Sequence, residues 1–201
     1  MDLTLIALVF GTIFVVELPD KTFIATLVLA TRFRPLPVWL GVVAAFGVQC
    51  LVAVLAGTLI AQLPRQPVEL VAAALFAIGA VVLLRGARRG EPSAEDAEQE
   101  YADRTAVPRT GWRAAGTSFL VLFTAEWGDL SQLLTAGLVA SGKPAVPVFV
   151  GSWLALAAVS GSAVLLGRWL MNRIRLSLVR YIGASVCAVL AVITLISALT
   201  A

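Results

Sequence analysis

Six apolar runs, each of about the length needed to cross a bilayer, occupy residues 3–31, 38–62, 68–84, 114–139, 146–167 and 178–200. A hydrocarbon core about 30 Å thick takes about 20 apolar residues per helix. Inside lipid the backbone must satisfy its own hydrogen bonds, which leaves each run one accessible conformation, the helix. The expected fold is an all-α integral membrane protein with six transmembrane helices. Turn-forming stretches fall where that plan needs them, at Arg32 to Pro37, Pro64 to Pro67 and Gly142 to Pro147. Composition agrees: 60% of the 201 residues are hydrophobic before the 16 glycines are counted, and 13% are charged. Soluble domains hold about 45–50% apolar residues with glycine included, and one of this length could not bury the excess. A cytosolic enzyme is excluded.

Other chemistry is excluded residue by residue. Histidine is absent, which removes imidazole proton relays, histidine metal sites and serine–histidine catalysis. Cys50 and Cys187 lie inside apolar runs without a C-x-x-C spacing, so they read as small buried hydrophobes. The net charge of +3 does not signal nucleic-acid binding, because the arginines sit in short loops between apolar runs. Those loops instead report orientation. Those after runs one, three and five carry 12 arginines, against Arg65 and Lys143 on the other side. By the positive-inside rule the three odd loops face the cytoplasm and both termini face outward, in the cell (inner or plasma) membrane. The expected organisation is a first three-helix unit over 1–85, a polar cytoplasmic linker over 86–113 and a second three-helix unit over 114–201.

The two units repeat one another. FVVELPDKTFIATLVLA from Phe14 aligns with FTAEWGDLSQLLTAGLV from Phe123 at an offset of 109 residues. Glu17 matches Glu126, Asp20 matches Asp129, Thr22 matches Ser131 and Thr26 matches Thr135. Gly41 and Gly57 match Gly151 and Gly167 at an offset of 110. Three spans per half is an odd number, so the halves cross the membrane in opposite senses. That is the inverted-topology repeat of secondary transporters, whose site lies at mid-membrane between the halves.

Both E-x-x-D pairs fall at the centres of their runs. An ionised side chain there costs about 2.5–3.5 kcal/mol on insertion scales, so four acids and Lys21 together cost about 12–17 kcal/mol. Helix–helix pairing with Lys21 would account for one or two of these acids and leave the others unbalanced. Residues three apart share a helix face, so each pair points one way, and Gln132 continues the face of the second. Pro19 and Gly128 interrupt the two helices at equivalent places. A break at that depth is tolerated where it lines a cavity, and it would bring the hydroxyls of Thr22 and Ser131 to the site. The resulting ligand set is hard and all-oxygen, suited to calcium, magnesium or manganese. No thiol, thioether or imidazole lies near either motif, which argues against zinc or copper. Four acids and Lys21 leave a charge of −3, or −1 with a divalent cation bound, and clustered carboxylates take up protons when the metal leaves. Cation/proton exchange is the expected activity, with no resident cofactor.

At these residues the chain resembles the Gdt-type membrane transporters of bacteria, chloroplasts and the Golgi, whose hallmark is a twice-occurring E-x-G-D-K/R-T/S motif. The copies here read ELPDKT (Glu17 to Thr22) and EWGDLS (Glu126 to Ser131). The resemblance implies a six-helix exchanger of manganese or calcium for protons, exporting mainly manganese in bacteria. It implies metal-site roles for Glu17, Asp20, Thr22, Glu126, Asp129 and Ser131. The residues themselves add accessory positions: Lys21 beside the cluster, Gln132 completing the oxygen shell, and Gln49 either lining the approach or making an ordinary interhelical hydrogen bond. Pro19 replaces the usual glycine of the first copy and Leu130 the usual basic residue of the second.

Three other readings fit less well. A lysine-exporter-like small-molecule exporter shares a six-span plan but calls for a larger pocket and fewer carboxylates. A cation channel gains acidic rings by oligomerising about an axis, whereas this chain supplies its acids from two halves of one polypeptide. A membrane enzyme would need a nucleophile–base pair or a phosphate loop, and neither is visible.

Overall fold

A computed structural model describes residues 2–18, 21–89, 111–173 and 176–200, and all regular structure within them is helical. Eight helices follow in order: α1 (Leu3–Glu17), α2 (Lys21–Arg32), α3 (Pro35–Ile60), α4 (Arg65–Arg89), α5 (Trp112–Ala125), α6 (Leu130–Ala140), α7 (Ala145–Arg173) and α8 (Leu176–Thr200). Four segments are long and apolar enough to cross a membrane: Pro35–Ile60, Gln66–Arg88, Ala145–Leu165 and Tyr181–Thr200. The first and fourth apolar runs are each divided into two short helices, α1 with α2 and α5 with α6. Most of the linker expected over 86–113 lies outside the described residues, where α4 enters it as far as Arg89 and α5 leaves it from Trp112.

Local chemistry sets the helix ends. Asp2 caps α1, its carboxylate accepting from the Leu5 N–H at 3.1 Å. Arg34 is extended and Pro35 opens α3, the position where a missing N–H is harmless. At the end of α6 the Gly142 N–H donates to Val139 O at 3.0 Å and the Lys143 N–H to Leu138 O at 3.2 Å. This is a Schellman motif, closed by Gly142 at φ +88°.

Packing follows a paired scheme. The most extensive interface joins α4 to α8, followed by α1 on α7 and α3 on α5. Next come α3 on α6, α3 on α7 and α2 on α7. Glycine seats two of these contacts. A Cβ at Gly41 would strike the carbonyl of Ala115 on α5, and one at Gly151 would lie 2.9 Å from the carbonyl of Ile6 on α1. Gly41 and Gly151 are 110 residues apart, and Ile6 and Ala115 are 109 apart. The α3–α7 crossing is antiparallel and clamped twice. The Trp39 indole N–H donates to Ala157 O, and the Trp153 indole N–H to Val43 O, each at 3.0 Å. Each ring lies over a glycine one turn further along the facing helix, Gly161 for Trp39 and Gly47 for Trp153. Without a Cβ there, the indole reaches a carbonyl already bonded within its own helix. Val42, Ala45, Phe46, Leu134 and Ala155 belong to the buried core around these contacts. Large apolar side chains such as Leu55, Leu59, Leu120, Leu154 and Ile196 point outward, as helix faces turned to lipid require.

Candidate metal centre

The second acidic motif occupies a break between two helices. α5 ends at Ala125, with the Glu126 N–H closing its last turn on Leu122 O. The chain then turns through Trp127 and Gly128, the latter at φ +79°, before Asp129 starts α6 in extended geometry. A positive φ is readily available only to glycine, so Gly128 fixes where the run breaks. Glu126 is buried at the end of α5, and Asp129 stands at the N-cap of α6. An N-cap aspartate ordinarily bonds the first N–H groups of its helix. Asp129 makes no such side-chain bond, and its buried Oδ2 has no hydrogen-bond partner. The carboxylate is therefore not used by its own helix. α5 presents its negative C-terminal end to the break and α6 its positive N-terminal end, so the two helix ends oppose one another and the two carboxylates supply the net charge that suits a cation.

In the first motif, Glu17 is the last residue of α1, only 1% exposed. Pro19 and Asp20 lie outside the described residues, and of Lys21 and Thr22 only the backbone is described, opening α2. The two broken runs approach one another, α1 touching α6 and α2 touching α5. From α3 the Gln49 side-chain amide donates to Phe123 O at 3.1 Å in the last turn of α5, so α3 reaches the second break directly.

The remaining expected residues divide by what they bond. Ser131, in the first turn of α6, is buried, and its carbonyl accepts from the Thr135 hydroxyl at 2.7 Å. The Thr135 hydroxyl oxygen also pairs with the Ser152 hydroxyl on α7 at 3.0 Å, which leaves Ser152 as the donor and ties α6 to its neighbour. Gln132, expected to complete an oxygen shell, bonds the break instead. Its Nε2 donates to Glu126 O at 2.9 Å and its Oε1 accepts from the Gly128 N–H at 3.2 Å. Gln49, expected either to line the approach or to make an ordinary interhelical hydrogen bond, makes such a bond to Phe123 O. Among the described residues no three histidine, cysteine, aspartate or glutamate side chains gather as a metal-holding group. Sequence reading missed Ser152, which lies on a partner helix and carries no local signal. Cys50, read as a small buried hydrophobe, is buried.

The chain was compared with known proteins. The family model described as "Divalent cation/proton antiporter GDT1" matches residues 5–91 and 114–201. A GDT1-like protein of Synechocystis is 34% identical over 187 residues, covering 89% of this chain and 90% of the relative. The chloroplastic GDT1-like protein 1 of Oryza sativa subsp. indica is 31% identical over 93% of this chain, which spans only 60% of that protein. The chloroplastic protein PAM71 of Arabidopsis thaliana is 30% identical over 95% of this chain and 56% of its own length. No solved structure matches. With two matched segments that each contain one acidic motif, the chain belongs to the GDT1 family of divalent cation/proton antiporters.

Proposed function

We propose that this protein exports a divalent metal cation, manganese foremost and calcium also, from the cytoplasm in exchange for protons. The carboxylates of Glu17, Asp20, Glu126 and Asp129 hold the metal at mid-membrane, with the hydroxyls of Thr22 and Ser131 completing an oxygen shell. The observation that carries this reading is the break at 126–129, which sets a buried glutamate and an N-cap aspartate with an unpartnered oxygen side by side. The hard oxygen donors favour manganese or calcium over softer metals.

The architecture we propose is six spans in two inverted halves, α1–α4 and α5–α8, in the cell membrane, with both termini outside and the linker cytoplasmic. The packing supports this reading. α1 on α7 pairs with α3 on α5, and α2 on α7 pairs with α3 on α6. The glycine seats at Gly41 and Gly151 fall at matching positions, as an inverted repeat requires. The acids of the two halves then form one complete site only when both halves close on the metal.

Purified protein in proteoliposomes tests the exchange. Manganese flux should follow an imposed pH gradient, and Glu126→Gln or Asp129→Asn should abolish it while the protein remains inserted and monodisperse. Metal affinity should fall as pH is lowered from about 8 to 5.5, because the carboxylates must be deprotonated to ligate. Rapid flux indifferent to the gradient would replace the exchanger with a channel.

A further inference from the structure

The amides of Gln132 and Gln49 hold the backbone of one acidic break, and the positions that match them in the repeat carry no hydrogen-bonding side chain. α5 ends at Ala125, so the carbonyls of its last turn lose their helical partners. Gln49 reaches from α3 to Phe123 O, and Gln132 reaches back from α6 to Glu126 O, which the Asp129 N–H also approaches at 3.3 Å. The same Gln132 side chain accepts from the Gly128 N–H. Three backbone groups of the segment bearing Glu126 and Asp129 are thus pinned from two helices.

The repeat makes the comparison sharp. The counterpart of Gln132 is Phe23, at an offset of 109, and that of Gln49 is Val159, at an offset of 110. Neither side chain carries a hydrogen-bonding group. Gly128 is replaced by Pro19, which has no N–H to donate and whose ring confines φ to about −65°, far from +79°. The N–H donor of the break and the side-chain acceptor that would take it are therefore missing together from the first half.

We propose that Gln132 and Gln49 are positioning residues, not cation ligands, and that they preform the second acidic motif as the docking half of the metal site. The proposal rests on the cation-exchange reading above. A segment held in place before the metal arrives loses less conformational freedom on binding. Loss of the amides should therefore raise the metal concentration for half-maximal flux more than it lowers the saturated rate.

Gln132→Glu separates the two roles. A carboxylate keeps the acceptor for the Gly128 N–H but cannot donate to Glu126 O, whereas as a ligand it would serve a hard cation at least as well as an amide. Manganese binding to the purified protein is measured at pH 8 for Gln132→Glu, Gln132→Met and Gln49→Met, alongside flux and amide exchange over 126–129. Gln132→Glu and Gln49→Met should bind about tenfold more weakly, the expected scale for one lost hydrogen bond, and Gln132→Met, which loses two, more weakly still. Gln132→Met should also speed exchange at the Gly128 amide. Gln49→Met, one helix removed, tests the same idea if the variants at 132 fail to fold. Equal or tighter binding by Gln132→Glu, or unchanged binding by the folded Met variants, would overturn the positioning role. Unchanged binding by Glu126→Gln and Asp129→Asn in the same assay would instead sink the metal-site reading itself.

Discussion

Gly128 shows how much one residue decides. Among the described residues the glycines with positive φ are Gly111 and Gly142, at helix ends, and Gly128, inside the fourth apolar run. Nothing lies within 4 Å of a Cβ built at Gly128, so a side chain there meets no steric obstacle beyond its own backbone. Gly128→Ala should therefore cost only the left-handed penalty, about 1–2 kcal/mol. Thermal unfolding in detergent should show that loss, and metal affinity should fall with it as the Gly128 N–H shifts from Gln132. Asp129 makes the converse case. Its side chain makes no capping bond, so Asp129→Asn removes charge without removing a support of the helix start. A collapse of folding in that variant would mean that the carboxylate holds the structure rather than the cation.

At the scale of helices, close approach is bought with missing side chains. α3 lies against α5 at Gly41 and against α7 under Trp153 at Gly47. Gly41→Ala would push a methyl into the backbone of Ala115, which cannot rotate away, so the helices must part. Overpacking of this kind typically costs about 1–3 kcal/mol. Gly116→Ala is the control, because a Cβ there meets nothing within 4 Å. Thermal melts should place Gly41→Ala well below the parent and Gly116→Ala at or above it. These helices were largely legible in the sequence, since length, hydropathy and the breakers at Pro19 and Gly128 are local properties. The glutamines were not. An amide within an apolar run looks the same whether it meets a metal or a carbonyl, and only the packing of α3 beside the end of α5 decides for Gln49.

For the whole molecule, the departures from paired packing are as informative as the pairing. α1 packs on α8 and α4 on α6 more closely than their repeat counterparts, α5 on α4 and α2 on α8. Two inverted halves that alternate around one site exchange such contacts, so the pairings tight in one state loosen in the other. The α1–α8 contact can be locked. A Cβ at Gly183 lies 3.7 Å from Val16 Cα and 3.8 Å from Val16 Cγ2, so cysteines at the two positions would be near neighbours, as a disulfide requires. Leu83 at 3.2 Å must give by a few tenths of an ångström. With Cys50 and Cys187 replaced by alanine, Val16→Cys with Gly183→Cys should cross-link on oxidation. Flux should then stop and return on reduction, because α1 can no longer leave α8. The reduced double variant must transport for the comparison to hold, as Val16 adjoins Glu17. Full flux through the cross-linked protein would show that α1 and α8 stay together throughout the cycle, and the alternation of the halves would have to run through other contacts.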